Sequence, residues 1–491
     1  MSPSVPKNTP VELTLVEAAG DAPAGGSIQL LPERCLRLLP GRREVYAARL
    51  PEEDCAVVAK RFLVHRRQRR DWQREWRGLK RLAELGLPAP APRFVGSDPS
   101  SGAVWVVMRY IGQAEPLDVV FEHADEETTE QLADTLARLV DAMHGAGAWQ
   151  QDQHIGNLLW DGHQIHLLDA GTMRFRKGGR SLGPRRRLAD LAGICSTLPP
   201  CAEKAFRSAL KTRYHPDKSA GGKRLFDQLE AAVSKVQIKR GKRYFKKTRR
   251  DCTQFLRVNR PDCRGFQVRD AQAELCERFF SEPEALMNKG ICLKAGNTCT
   301  IQRFTHSDKN YVLKRYNKKT GLKNLRRRFV PSRALKSWSN AWVLRLSFVP
   351  TPRPLAVRES PTVPGGGLCY FLMEYVDGEL LPEFAERTPP ENESFAIVAQ
   401  GFAETWRRLG RLRAIHGDFK ATNWVVAPNH ELYLLDLDAM RFGVRWFVFR
   451  RGRAKDWRRF VRNWPNNPKA LEVFKKALRA SRSKEGPSVP S

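Results

Sequence analysis

The same short constellation occurs twice in this chain, more than half its length apart. In the first copy Gln150-Gln151-Asp152-Gln153-His154-Ile155-Gly156-Asn157 leads into Leu167-Leu168-Asp169-Ala170-Gly171. In the second, His416-Gly417-Asp418-Phe419-Lys420-Ala421-Thr422-Asn423 leads into Leu434-Leu435-Asp436-Leu437-Asp438. An aspartate, an asparagine five positions on and a second aspartate closing an apolar strand supply one base and two hard oxygen donors, the set that phosphoryl transfer with Mg²⁺ requires. A lone D-x-x-x-x-N is common, and Asp152 or Asp418 alone reads as a loop or helix-cap residue. Two copies, each trailed by Leu-Leu-Asp and then by Met173-Arg174-Phe175 or Met440-Arg441-Phe442, are hard to obtain by chance.

At 491 residues the chain exceeds one ordinary core, and two domains of roughly 230 to 250 residues fit the usual range. With 41% hydrophobic residues and 12 tryptophans it has the material for real cores. Residues 1–26, rich in Pro, Ala and Gly, are expected to form a loose leader, followed by a first domain over 27–240 and a linker helix with a second domain over 241–491. Gln29 to Leu39, Val45 to Leu50 and Ala56 to Phe62 read as consecutive strands, and Arg69 to Leu85 as a helix that carries Glu75 and stops before Gly86-Leu87-Pro88. The second half repeats the order: a hairpin over Ile291 to Ile301, a strand over Tyr311 to Tyr316, a basic helix to Leu346, then Val349-Pro350-Thr351-Pro352. Strands with one helix, followed by a mostly helical remainder, predict an α+β fold of two tandem protein-kinase-like domains, each with a small strand-rich N-lobe and a larger helical C-lobe. The linker is placed around Lys235 to Arg250, with Lys242 to Arg257 as an alternative last helix of the first unit.

In such a fold a strand lysine holds the α- and β-phosphates of ATP and a helix glutamate fixes that lysine. Lys60 and Glu75 suit these roles in the first unit, and Lys314 matches Lys60 in the second. Counting back thirteen positions from Pro88 and Pro350 aligns Glu75 with Ser337, so the second unit lacks that partner. Asp152 and Asp418 are the candidate bases. Asn157 and Asp169, and Asn423 and Asp436, are the candidate Mg²⁺ ligands. Gln150 stands where the second unit has His416, and Gly171 where it has Asp438. No G-x-G-x-x-G precedes either lysine; Pro40-Gly41-Arg42-Arg43 and Ala295-Gly296-Asn297-Thr298 are the candidate phosphate loops.

The formal charge of +32 implies attraction to polyanions: nucleic acid, anionic lipid or phosphorylated glycans. Basic tracts lie at His65 to Arg70, Lys239 to Arg243, Lys323 to Arg328 and Arg450 to Arg459. The stretch from Arg445 to Trp464 interleaves cations with aromatics, as a helix on an anionic membrane surface does, or as a helix packed on its own lobe. Ten cysteines without a C-x-x-C pair argue against a zinc or redox site and for reduced thiols. Tyr214-His215-Pro216-Asp217-Lys218 imitates a co-chaperone tripeptide, but a helix-turn in the first unit is the better reading. Met1 to Gly26 holds no apolar run of signal-peptide length, so the protein is expected to face the cytoplasm, soluble or peripheral on the inner face of the cytoplasmic membrane.

His416-Gly417-Asp418-Phe419-Lys420-Ala421-Thr422-Asn423 with Leu435-Asp436-Leu437-Asp438, together with Pro350-Thr351-Pro352, the strand lysine and Lys247-Thr248-Arg249-Arg250-Asp251-Cys252, resembles the bacterial lipopolysaccharide core kinases that phosphorylate heptose or Kdo sugars, here as a fused tandem of two such domains. The resemblance implies ATP and Mg²⁺ as cofactors, a hydroxyl of a lipid-linked lipopolysaccharide core sugar as acceptor, and work at the inner membrane face. Two other classes remain: a pseudokinase that binds without turnover, and RNA binding through the basic tracts, ranked last because no aromatic RNA-stacking motif is visible. A protein serine/threonine kinase is the nearest enzymatic rival, but the Ala-Pro-Glu signature is missing.

Overall fold

Alternation along Arg43–Leu50, here β3, turns Glu44, Tyr46, Ala48 and Leu50 inward, the period-two pattern of a half-buried strand. In the computed structural model, which describes residues 9–19, 25–152, 154–214, 220–317, 331–360 and 368–483, it is part of a closed barrel. The chain divides into two compact units, Met1–Ala232 and Val233–Ser491.

In the first unit the barrel is built from β1 (Val11–Ala18), β2 (Ser27–Leu39), β3, β4 (Cys55–Phe62), β5 (Pro92–Ser97) and β6 (Val104–Arg109), in the order β1-β2-β3-β4-β6-β5. Leu13, Leu15, Leu30, Tyr46, Val57 and Trp105 fill it. The expected loose leader is corrected here: residues 11–18 form β1, which pairs with β2 on one side and β5 on the other and so removes both sheet edges. Leu13 and Leu15 supply the apolar stripe that makes this strand worth burying.

Helix α1 (Gln68–Glu84) buries Glu75, Trp76, Leu79 and Leu82 on one face. It ends with paired bonds from Gly86 N to Ala83 O, 3.0 Å, and Leu87 N to Leu82 O, 3.0 Å, with Gly86 at φ +63°. Pro88 follows, and its carbonyl accepts from Leu167 N at 2.8 Å, which fixes the strand that leads into Asp169. The rest of the unit is mainly helical, with α2 (Glu126–Gly145) and α3 (Pro184–Cys195) among its helices, beside short strands over residues 115–175 that carry the loop residues.

Helix α4 (Ala220–Lys247) crosses the boundary, which falls after Ala232 rather than after residue 240. The segment assigned to a linker is therefore helix as far as Lys247. Its C-terminal half belongs to the second unit: Ser234 Oγ donates to Arg411 O at 2.7 Å, and Phe245 packs edge-on against Phe442.

The second unit carries an open seven-stranded sheet of β7 (Phe255–Asn259), β8 (Arg264–Val268), β9 (Ile291–Ala295), β10 (Cys299–His306), β11 (Lys309–Tyr316), β12 (Pro354–Glu359) and β13 (Cys369–Glu374). The order is β7-β8-β12-β13-β11-β10-β9. The β7–β8 hairpin takes the place of a helix that could have run to Arg257; the buried Phe255 and Val268 anchor it. Helix α5 (Arg333–Leu346) matches α1, and its end repeats the same pair of bonds, with Phe348 at φ +55° where the first unit has glycine. Pro350 O accepts from Leu434 N at 3.0 Å, so both prolines clamp equivalent strands. Helices α6 (Glu393–Arg411), α7 (Trp446–Val461) and α8 (Pro468–Ser483) pack around Phe402, Phe460 and Phe474. Each unit thus joins a strand-rich part to a helical part, the α+β arrangement of a kinase-like fold. The tract Lys323 to Arg328 and the tripeptide His215-Pro216-Asp217 lie outside the described residues.

Position 78 sets how closely α1 approaches the loop after Asp169: a Cβ there would stand 2.2 Å from Ala170 O. Gly78→Ala is expected to cost about 1–3 kcal/mol by overpacking. A melt of the full chain should show the first unit's transition lowered by several degrees; an unchanged melt would mean that α1 and the loop are not in this contact.

Candidate active site

Lys60 lies on β4 and is 8% exposed; Glu75 faces it from α1 and is 1% exposed. Lys60 Nζ donates to Glu75 Oε1 at 2.5 Å and lies 3.8 Å from Asp169 Oδ1. The second glutamate oxygen accepts from Gly171 N at 3.0 Å, so one carboxylate ties strand lysine, helix and the loop after Asp169 together. A Cβ at position 171 would stand 2.9 Å from Glu75 Oε2, which is why a glycine serves there. Arg43, from the Pro40-Gly41-Arg42-Arg43 turn between β2 and β3, adds a second cation, with NH1 at 3.1 Å from Asp169 Oδ1. Burial raises the Asp169 carboxyl, but Lys60 and Arg43 outweigh it and hold it below the ordinary aspartate range.

Asp169 has φ +57° and Asp436 also has φ +57°, a left-handed backbone that a non-glycine residue holds at a cost. Its recurrence at both aligned positions marks the turn as a constructed feature. Asn157 Nδ2 donates to Asp152 O at 3.3 Å, and Asn423 Nδ2 to Asp418 O at 2.7 Å. The amide oxygens are thereby left as acceptors, and with the aspartate carboxylates they offer neutral and anionic oxygen donors of the kind that could hold Mg²⁺. Leu168 N to Asn157 O and Leu435 N to Asn423 O, each 2.8 Å, hold asparagine and aspartate strands side by side. Gln150 and His416 do the same work: Gln150 Nε2 contacts Leu168 O at 3.0 Å and His416 Nε2 contacts Leu435 O at 2.9 Å. His416 is buried, which lowers its pKa. The expected site residues therefore meet within each unit: Lys60, Glu75 and Asp169 by direct contact, with Asn157 and Asp152 joined to them through Leu168.

The second unit rebuilds the same place differently. Lys314 Nζ contacts Asp436 Oδ1 directly, at 2.6 Å. Burial opposes its charge, yet Tyr316, Asp436 and Asp438 more than offset this and hold the ammonium above the ordinary lysine range. Ser337, in the place of Glu75, bonds Tyr316 Oη at 2.8 Å, and burial pushes the Tyr316 phenol up to about 12. Asp438, in the place of Gly171, pairs with Arg333 at 2.5 Å, one helical turn before Ser337. The carboxylate has thus moved from the helix to the loop across one shared space.

Several contributors escaped the sequence reading. Asp190 and Asp456 each stand 38 residues after the candidate base. Asp456 accepts from His416 N at 2.7 Å and Gly417 N at 3.1 Å, and so holds the turn before Asp418; Asp190 meets His144 Nε2 at 3.0 Å. Lys420 Nζ reaches Asp418 Oδ2 at 3.0 Å, while its counterpart His154 turns back to accept from Gly156 N. The equal spacing of the two aspartates was the signal available. Ala295-Gly296-Asn297-Thr298 forms the β9–β10 turn, its Gly296 carbonyl held by Asn317 at 2.9 Å. Among the described residues no group of three or more His, Cys, Asp or Glu side chains forms a metal cluster.

Strand lysine, helix glutamate, loop aspartate, asparagine and strand-end aspartate follow one another here in the order of a kinase-type phosphotransferase site. Residues 54–204 match the model of the lipopolysaccharide kinase (Kdo/WaaP) family. Lys60, Glu75, Asp152, Asn157 and Asp169 all fall within the matched segment. The match supports a phosphotransferase and implies use of ATP. No curated protein matches the chain.

If the carboxylate has relocated, Ser337→Glu should crowd Asp438 and destabilise the second unit, and Asp438→Gly in the same chain should restore stability. The expected coupling in urea melts is about 1 kcal/mol or more. Additive effects would contradict a shared space.

Proposed function

We propose that the first unit transfers the γ-phosphoryl group of ATP to a hydroxyl of a heptose or Kdo sugar in the lipopolysaccharide inner core. The observation that carries this reading is the buried Lys60–Glu75 pair set 3.8 Å from Asp169, inside the segment that matches the family. Lys60, oriented by Glu75, takes the α- and β-phosphate oxygens. Asp152 accepts the proton of the attacking sugar hydroxyl, and Asn157 with Asp169 holds Mg²⁺. When bound, Mg²⁺ neutralises charge on the β- and γ-phosphates. Arg43 supplies a further cation at the phosphate end, where its contact with Asp169 gives way to the nucleotide. The acceptor is lipid-linked, and the excess of cations favours its anionic surroundings at the inner membrane face. Among the described residues no helix is long and apolar enough to cross a membrane.

For the second unit, the direct Lys314–Asp436 contact and the absence of a glutamate at position 337 favour a second reading: it holds nucleotide or acceptor, with Asp418, Asn423 and Asp436 contributing little turnover.

The test is the phosphate content and mass of the core in cells carrying wild type, Asp152→Ala, Asp418→Ala and the double variant. Asp152→Ala should remove one phosphate, with transfer by purified protein falling about 10²–10⁴-fold. Asp418→Ala should leave most of the phosphate in place. Unchanged phosphate in the Asp152→Ala and double variants would refute the reading.

A further inference from the structure

A cavity of about 440 Å³ opens in the second unit beside the turn that precedes Asp418, with Gly417 and Ile415 at its edge. Its walls carry four cations, Arg441, Arg451, Lys455 and Arg459, against one acid, Asp456. That acid is already committed, through the amides of His416 and Gly417 and through Arg459 at 3.7 Å. Arg459 in turn donates to Gly417 O. Arg441, Arg451 and Lys455 have no acidic partner among the described residues. Like charges gathered around a concave space repel one another, and an anion placed there relieves the repulsion.

The cations come from two places. Arg441 is the arginine of the Met-Arg-Phe repeat and reaches the cavity because its backbone bridges to Ile415, with paired bonds of 2.8 and 2.9 Å. Arg451, Lys455 and Arg459 recur at intervals of four on α7, so they share one helix face. In the first unit the corresponding Arg174 is turned onto the carbonyls of Gly171 and Met173, at 3.2 and 2.7 Å. Arg174 also borders a cavity of its own, among Arg74, Arg77, Lys80 and Arg81, but its guanidinium is bonded to backbone, whereas Arg441 has no such bond among the described residues.

The rim is apolar. Phe447 and Val448 line the mouth, and Phe447 is 57% exposed. Trp446 beside it, 44% exposed, lies tilted against the buried Phe449 with ring centroids 5.6 Å apart. Two large aromatics left in water at the first turn of a helix whose next turns carry cations fit an amphiphile better than a free ion.

We propose that this cavity binds the acidic headgroup, phosphate or carboxylate, of an anionic glycolipid, with Trp446 and Phe447 against its apolar part. The proposal rests on the lipopolysaccharide kinase reading for the identity of the lipid. It gives the second unit a definite task, retention of the lipid-linked acceptor, whether or not Asp418 turns over.

The test uses the full chain and sedimentation with vesicles of phosphatidylcholine, alone or mixed with phosphatidylglycerol, with inorganic phosphate as a soluble competitor. Wild type should bind only the mixed vesicles. Arg451→Glu with Lys455→Glu should weaken binding at least about tenfold. Lys476→Glu with Arg479→Glu, exposed on α8 and equal in charge change, should shift it less than about twofold. Trp446→Ser with Phe447→Ser should also weaken binding, while inorganic phosphate should compete poorly. Equal losses in both charge-reversed variants would overturn the proposal by making the attraction general. Full competition by phosphate, with the aromatic pair dispensable, would overturn it in favour of a free-anion site. None of these readouts needs turnover. Cavity-dependent vesicle binding without any phosphate transfer would refute the kinase reading alone, and undiminished transfer and vesicle binding in the Arg451/Lys455 variant would refute this site alone.

Discussion

The first unit depends on one ion pair that cannot be divided. Lys60 and Glu75 are both buried, and a charge in that position is tolerable only with its partner; removing one costs roughly 3–5 kcal/mol. This requirement sets the surrounding residues. The helix must bring Glu75 opposite β4, which its Trp76, Leu79 and Leu82 face achieves. The loop after Asp169 must come close enough for the Gly171 amide to use the second carboxylate oxygen, which needs glycine at both 78 and 171. Pro88 O then holds the strand that delivers Asp169. Fold and site are one arrangement of backbone around a buried charge.

The second unit keeps the backbone of that arrangement and changes the chemistry. The proline clamp, the left-handed aspartate and the asparagine bond to the base's carbonyl all recur. The glutamate does not, and Asp438 with Arg333 fills the space from the loop side. Lys314 is left to pair with Asp436 itself, so a ligand of Asp436 has to compete with the lysine. Divergence of this kind, with geometry retained and charges moved, suits a unit that binds more than it turns over.

What the sequence made legible was local or repeated. Strands β2, β3 and β4 and helix α1 follow from period and end signals, and Lys60, Glu75 and Asp169 from spacing to Pro88 and the duplicated loop. The leader reading missed β1 because the Pro, Ala and Gly around Val11–Ala18 mask its alternation, and because its partners lie far along the chain in β5. Arg43 was legible as part of the Pro40 to Arg43 turn, but its contact with Asp169 was not, for the same reason: it spans 126 residues. Asp438 looked like an extra acid until Ser337 and Asp438 were seen to stand around the same Tyr316, as Glu75 and Gly171 meet in the first unit. Asp190 and Asp456 have a common spacing from the bases, but only the folded turn gives that spacing a meaning.

The most direct test is calorimetric binding of a non-hydrolysable ATP analogue to the full chain and to Glu75→Gln, with and without Mg²⁺. The account predicts Mg²⁺-dependent binding that weakens at least about tenfold in the variant, because Lys60 loses the charge that orients it. Binding of equal strength in both proteins, or binding indifferent to Mg²⁺, would contradict the claim that the buried pair organises the nucleotide site.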